Sequence, residues 1–585
     1  MAPERPTSKQ RVLAQVTLAL ALSISAMGAC GYRFGMSDQT QYLSQYVALR
    51  WPGALEGDAY LEAFESLGSF LWAPMALIPQ DALPTACALV TAVVGALSAI
   101  GLMWLSRALA RPGLGAWGGA LMWAAPAMAL VTPKEQNYFG LVSLSDVELT
   151  ATLVVLPLVI ASIAAFVRGR VYLALAMGLL AVPVHGQTAA YVLAAWCAGV
   201  ALCDFRDVHR LALAIGVGLA GLVGAALARG IGPVEGGSME AYERLGRALY
   251  APLIDLWSVP ARSWLALGIV LAFGVCALPG YLRTGSALEP RRRSARERLA
   301  VYALASLAFP VLGGALLGLG VREPLLWRLM VPRSMMLAQI VSVVIAAVWA
   351  GDQIRAGGRD GLIGLCALVG LIVWPAPGAG HVVAGLLGGL IVALIAGATL
   401  ARASRAERAG DGPVAPRLLV ALGVAAVVGV VGRVTSGHAW FRSSAPASWV
   451  EAQRWAREHT PEGSVFVTPP YLAGWRVGSH RPTFGELRDG GLMFYSGQAA
   501  LAWEARMRLL GMDTMRAWWW EVEPGTDDRE HTALREAYRA AFTRNAEKII
   551  ARAGADYLVI EGEPEPTWGE RVWSNGTISV VSTAR

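Results

Sequence analysis

Charge is scarce in this chain of 585 residues: Asp, Glu, Lys and Arg make up only 16% of it, while 55% is apolar. Soluble domains carry about a quarter charged residues, so a water-soluble fold is excluded for most of the length. Lysine is almost absent, and nearly all the positive charge is arginine, set in short runs between apolar stretches. No basic-aromatic module accompanies those runs, so the net charge of +7 reads as membrane topology and not as nucleic-acid binding. Cysteine is sparse too. The six cysteines lie in or beside apolar runs with no Cys-x-x-Cys and no Cys/His ligand spacing, which excludes a zinc site built from them. The stretch beyond residue 435 has none, so an exported tail would fold without disulfides. An internal repeat of paired broken helices, the mark of many secondary transporters, is also missing.

What the chain has in abundance is apolar runs of about 17 to 25 residues, the length a helix needs to cross a bilayer at ~1.5 Å per residue. They recur from 12–31 to 417–435 and predict a mainly α, polytopic membrane protein with about 13 transmembrane helices. The first run follows Lys9 and Arg11 like a signal sequence, but it is long enough to span. Arginines gather in one alternating set of loops, including Arg107/Arg111, Arg206/Arg210 and Arg291 to Arg293 with Arg296 and Arg298, which places the N-terminus in the cytoplasm. An odd number of spans then leaves the C-terminal region outside. From Ser436 the sequence turns charged and Trp-rich. Helices are expected at 447–459, 496–510 and 529–553, and strands at 464–468, 556–560 and 577–581. The expected organisation is a transmembrane domain over 1–435, with its first outer loop at 32–82, and an extracytoplasmic α/β domain over 436–585.

The outer loops are long, acidic and aromatic, and long loops in compact proteins are usually functional. Asp38, in Gly35-Met36-Ser37-Asp38-Gln39-Thr40-Gln41-Tyr42-Leu43, abuts the first span, where a carboxylate sits at the lipid-water boundary and can act on a lipid-borne headgroup. The same spacing fits a capping box between Asp38 and Gln41, and one carboxylate can serve both ends. Residues 57–68 read as an amphipathic interfacial helix with Asp58, Glu62 and Glu65 on a solvated face. Arg322, Arg328 and Arg333 stand in an outer loop against the orientation rule, and guanidinium forks match phosphate oxygens, so they are candidate phosphate ligands; lipid headgroups or outer-loop carboxylates are the alternative partners. His185, at a break between two short spans, is either a hydrogen-bonded core residue or a substrate contact. Asp146 and Glu148 could cap a span or hold a divalent cation with oxygen ligands. Arg481 to Gly491 is turn-rich and polar enough to face the membrane mouth, and Trp518-Trp519-Trp520-Glu521 could stack on sugar rings or anchor at the interface.

This plan, with an early Asp in the first outer loop, acids in the second and an outer α/β tail, resembles the GT-C class of integral membrane glycosyltransferases over nearly the whole chain. Bacterial membrane proteins of that class share a pattern like Gly35 to Leu43 and a tail like Trp475-Arg476-Val477-Gly478-Ser479-His480-Arg481-Pro482 through Asp489-Gly490-Gly491. The resemblance implies an enzyme of the bacterial cytoplasmic (inner) membrane whose substrate is a polyprenyl-phosphate-linked sugar. Asp38 would be the catalytic group, with Arg322, Arg328 and Arg333 on the donor phosphate. Gln39, Tyr42 and His185 would contact substrate, and Asp146 and Glu148 would hold a metal. Trp519-Trp520-Glu521 departs from the Trp-Trp-Asp signature of oligosaccharyltransferases, so protein N-glycosylation is not implied. A lipid or glycolipid flippase, or an inactive accessory protein of envelope polysaccharide assembly, is the alternative.

Overall fold

A computed structural model describes residues 8–30, 32–35, 37–64, 71–110, 126–127, 130, 144–145, 148–229, 243–249, 259, 261–319, 329–356, 360–361, 363–364, 367–368, 442–443, 447–494, 496–512 and 529–583. The chain forms two compact units, one of Met1–Tyr32, Ala88–Val223 and Asp255–Trp440, the other of Arg33–Cys87, Gly224–Ile254 and Phe441–Arg585.

Helices make up most of the first unit's described residues, and no strand occurs among them. Among the described residues five helices are long and apolar enough to cross a membrane: Leu83–Leu109, Gly186–Cys203, Leu267–Ser286, Pro290–Leu316 and Val331–Ala356. Shorter apolar helices cover Gln15–Gly28, Ala151–Val167, Val171–Ala181 and Val208–Gly221. The spans expected at 381–400 and 417–435 lie outside the described residues, as do most residues of those at 113–131 and 361–374. Lipid tails are as apolar as leucine, so membrane helices associate through close packing. Gly274 shows how: a Cβ there would stand 2.6 Å from the Ser342 side chain, so only glycine lets the Ala261–Ser286 and Met335–Ala356 helices approach this closely.

Arg296, expected to be a solvated loop charge, is instead buried at the start of the Pro290–Gly318 helix. Its guanidinium donates to the Leu109 and Tyr281 carbonyls at 2.9 Å each, and to Thr284 Oγ1 and Asp352 Oδ2 at 2.8 Å each. One side chain thereby satisfies the terminal carbonyl of the Leu83–Leu109 helix and a buried carboxylate together.

The second unit is built from three distant stretches. Strand β1 (Arg33–Phe34) pairs in parallel with β2 (Arg442–Ser443), joining the segment after the first apolar helix to the start of the tail. The tail's four-stranded sheet uses β3 (Phe466–Val467), β4 (Tyr557–Glu561), β5 (Glu570–Ser574) and β6 (Ile578–Ser582) in the order β3-β4-β6-β5. β3 and β4 are parallel and the other pairs antiparallel. The Arg529–Ala553 helix makes the crossover that a parallel pair requires. β5 and β6 form a hairpin because Asn575 Oδ1 accepts from Thr577 and Ile578 N–H at 3.1 and 2.9 Å, closing the turn locally. The centres of β4 and β6 are buried, as their unbroken Leu-Val-Ile and Ile-Ser-Val-Val runs imply.

Candidate functional site

The segment carrying Asp38 is fixed from both ends. After β1 the chain turns at Gly35, whose N–H donates to Gln39 Oε1 at 2.8 Å, and enters the Ser37–Arg50 helix. Gln39 is fully buried, so its amide serves this turn. Asp38 lies in the first helical turn, where the helix dipole favours negative charge; its side chain is outside the described ones. Gln41, which a capping box would turn back toward Asp38, instead donates through Nε2 to the Arg488 carbonyl of the tail. Tyr42 stacks on Trp72 with centroids 5.7 Å apart. Tyr46 Oη and Arg50 Nη1 donate to the Ile78 and Ala76 carbonyls at 2.9 Å each. The helix is thus clamped between 72–78 and the tail.

Beneath it lies a buried ionic network. Arg476 donates through Nε to Asp58 Oδ2 at 2.7 Å and through both Nη atoms to the two oxygens of Asp489 at 2.9 and 2.8 Å. The remaining lone pairs are filled. Asp58 Oδ1 caps the Ala59–Phe64 helix by accepting from Tyr60 and Leu61 N–H, and Asp58 Oδ2 accepts from Thr483 N–H at 3.1 Å. Glu486 accepts from Gly474 and Trp475 N–H, and its own N–H donates to Asp489. The face of Tyr60 stands 5.0 Å from the guanidinium. Burial alone would lower the Arg476 pKa, but Asp489, Asp58 and Glu486 outweigh it and hold it well above its ordinary value. Burial pushes the Glu486 carboxyl up to about 7, with Asp489 adding to the rise and Arg476 opposing it.

Two expectations are corrected here. Asp58 is not on a solvated amphipathic face, because its charge is consumed by Arg476. The 481–491 segment, expected to be polar surface facing the membrane mouth, instead has Arg481, Thr483, Glu486 and Asp489 all buried. The structural residues that sequence reasoning missed, Arg476 and Asp489, sit inside the Trp475–Gly491 pattern that carried the resemblance, so the signal was present and its role misassigned.

In the first unit, His185 ends the break after Val171–Ala181 as the N-cap of Gly186–Cys203. Its Nδ1 accepts from Thr188 N–H at 3.2 Å and lies 2.8 Å from Thr188 Oγ1, with Nε2 3.4 Å from Thr152 Oγ1. Arg333 is within electrostatic reach of this ring. It sits in a short 3-10 turn, Val331–Ser334, entered through Met330 at φ 40°, a left-handed conformation that a non-glycine residue adopts only at a cost of about 1–2 kcal/mol. Tyr191 Oη donates to the Leu329 carbonyl and, at 3.2 Å, to that of Met330, holding the turn in place. Arg322, Arg328, Asp146 and Trp518 to Glu521 lie outside the described residues. Glu148 is buried. Among the described residues no three His, Cys, Asp or Glu side chains are grouped to hold a metal ion.

Comparison with known proteins adds a family and a structure. A family described as a domain of unknown function (DUF6798) matches residues 447–510, the part of the tail that contains Arg476, Glu486, Asp489 and Glu504. No curated protein matches the chain. The chain is similar to the crystal structure of ArnT from Cupriavidus metallidurans in the apo state, at 15% identity and a TM-score of 0.45, over 99% of this chain and 98% of that one.

Proposed function

We propose that the chain is a membrane glycosyltransferase that moves a sugar from a polyprenyl-phosphate-linked donor to an envelope acceptor on the outer face of the bacterial cytoplasmic membrane. The observation that carries this reading is that Arg33–Cys87, with the Asp38 helix, folds into one compact unit with Gly224–Ile254 and the tail. Flipping a lipid does not require a tail locked onto the first interspan segment by a buried Arg476–Asp58 pair, whereas a group-transfer site needs its reacting carboxylate held still. Membrane topology agrees. Segments that fold together must emerge on one side, so an even number of crossings separates them, as in the sequence expectation of six spans between the loops 32–82 and 230–262 and six more between 230–262 and the tail.

In the reaction, Asp38 accepts the proton of the acceptor hydroxyl as its oxygen attacks the anomeric carbon. The bond from that carbon to the phosphate oxygen breaks, and polyprenyl phosphate leaves with the electron pair. Such proton transfer contributes about 10²–10⁴ in rate. Arg333, with Arg322 and Arg328, stabilises the charge developing on the phosphate. Tyr42 shapes the acceptor side, Gln39 acts on it only by bracing the turn at Gly35, and His185 orients the donor side near Arg333. Asp146 and Glu148 are the proposed ligands of a divalent cation, on which no step above depends.

The test is transfer by the purified chain in proteoliposomes supplied with a polyprenyl-phosphate donor carrying a labelled sugar. Label appearing on a lipid or glycan acceptor supports the reading. Donor that crosses the bilayer unchanged, with no label transferred, replaces it with a flippase.

A further inference from the structure

The second unit contains a cavity of about 380 Å³ whose walls include Gly57, Thr483, Phe484, Arg506, Leu509 and Arg552, a volume within the usual range for small-molecule sites. One wall is a single helical stripe. Ala502, Ala505, Arg506 and Leu509 recur at the three- and four-residue spacing that keeps side chains on one face of Gly497–Leu509. The opposite wall comes from the end of Arg529–Ala553, where Arg552 stands.

Arg506 is what makes this cavity unusual. Its Nε is buried with no hydrogen-bond partner, and among the described residues its guanidinium forms no ion pair within 4.0 Å. The nearby carboxylates are already engaged: Asp489 and Asp58 give their oxygens to Arg476 and to backbone N–H groups. Burial lowers the Arg506 pKa, Asp489 pulls it upward and Arg476 again downward. The side chain is half-buried, and a buried Nε–H that nothing fills costs stability. Arg552, an exposed residue at the rim of the same cavity, adds a second positive charge within a side chain's length. Two forks of five donors each suit an oxyanion of tetrahedral shape. The apolar remainder, with Phe484 in the wall, suits a compact body attached to that anion.

We propose that this cavity binds the phosphate group of a small phosphorylated ligand between Arg506 and Arg552. The source is either a soluble phosphate ester or an anionic lipid headgroup, which present the same oxygens. The site is independent of the transfer reaction, and its assay contains no sugar donor, so failure here leaves the transferase reading untouched and the reverse also holds.

The experiment uses the full chain in detergent and follows its thermal midpoint with inorganic phosphate, then with glucose 1-phosphate, against sodium chloride of equal ionic strength. A matched series replaces soluble phosphate with mixed micelles containing phosphatidylglycerol. A saturable rise with phosphate or its ester, weakened at least tenfold in Arg506→Met and several-fold in Arg552→Gln, supports a soluble ligand. A rise seen only with phosphatidylglycerol, and lost in the same variants, supports a headgroup. Without any anion, Arg506→Met should melt at or above the wild-type temperature, because a buried donor without an acceptor has been removed. Lower melting of that variant would make Arg506 a counter-charge for the Asp489 network and overturn the proposal. So would identical responses to phosphate, lipid and chloride.

Discussion

Replacing Arg476 with methionine removes the only cation that touches both Asp58 and Asp489 among the described residues. All three side chains are essentially inaccessible to water, at 2%, 0% and 1% exposure. Removing one member of a buried ion pair typically costs about 3–5 kcal/mol, because the remaining charge is stranded away from solvent. Two carboxylates are stranded here, although each keeps backbone donors: Asp58 those of Tyr60, Leu61 and Thr483, Asp489 that of Glu486. Those bonds hold the loss near the pairwise figure, so we expect about 3–5 kcal/mol. For a domain of this size ~1 kcal/mol moves the melting temperature by about 2–4 °C, which places Arg476→Met some 6–20 °C below wild type. The assay is differential scanning fluorimetry of the detergent-solubilised protein, with limited proteolysis to locate the loosened region. Arg476→Lys should recover only part of the loss, since an ammonium cannot reproduce the bidentate grip on Asp489. The triple change Arg476→Met, Asp58→Asn, Asp489→Asn should be less harmful than Arg476→Met alone. A melting temperature within about 2 °C of wild type for Arg476→Met, a loss under ~1 kcal/mol, would refute the view that this network holds the unit together.

Other perturbations follow from single positions. Gly511 closes the Gly497–Leu509 helix in a Schellman arrangement, with Gly511 N–H to the Arg508 carbonyl and Met512 N–H to that of Met507. Its φ is +81° and a Cβ would stand 2.5 Å from the Ala537 carbonyl oxygen, so Gly511→Ala should cost about 2–3 kcal/mol in thermal unfolding. His480 is held down to about pKa 4, first by burial and then by Arg457 and Arg481. It therefore contributes stability above pH 6.5 that is lost as pH falls from 6.5 toward 4. Melting curves over that window should steepen with acid in wild type and flatten in His480→Asn, because Asn tolerates the left-handed backbone found there. Burial raises the Glu561 carboxyl, but hydrogen bonds from His531 and Tyr471 offset this and leave it below its ordinary value. Its contribution is present above the usual carboxylate range and disappears as pH drops below it. Glu561→Gln should remove that acid-side slope.

Much of the tail was legible from its punctuation. The helices Ala447–His459 and Arg529–Ala553 and strands β4 and β6 fall within a residue or two of the sequence expectation, because Gly554 and the Val/Ile runs mark limits locally. β5 was not legible: Glu570-Arg571-Val572-Trp573-Ser574 alternates poorly, and its pairing with β6 depends on the hairpin turn at Asn575. Long-range pairing defeated local reading at the charges. Asp58 looks like surface beside Glu62, and Arg296 looks like topology beside Arg293, since nothing nearby announces partners 418 or 56 positions away. In the candidate site, the break at His185 was visible as spacing and Arg333 as a basic residue in a loop expected outside; the turn that holds Arg333 was not. That Tyr191 fixes the strained turn at Met330 was not, because a tyrosine in an apolar span reads as packing until its hydroxyl finds a carbonyl 139 residues away.

The role of Asp38 admits one direct measurement: single-turnover sugar transfer in proteoliposomes at saturating donor, wild type against Asp38→Asn, with melting temperatures recorded on the same samples. The account predicts a rate lower by about 10²–10⁴ at an unchanged melting temperature, as expected when a general base is lost from an intact fold. Transfer by Asp38→Asn at the wild-type rate would contradict it.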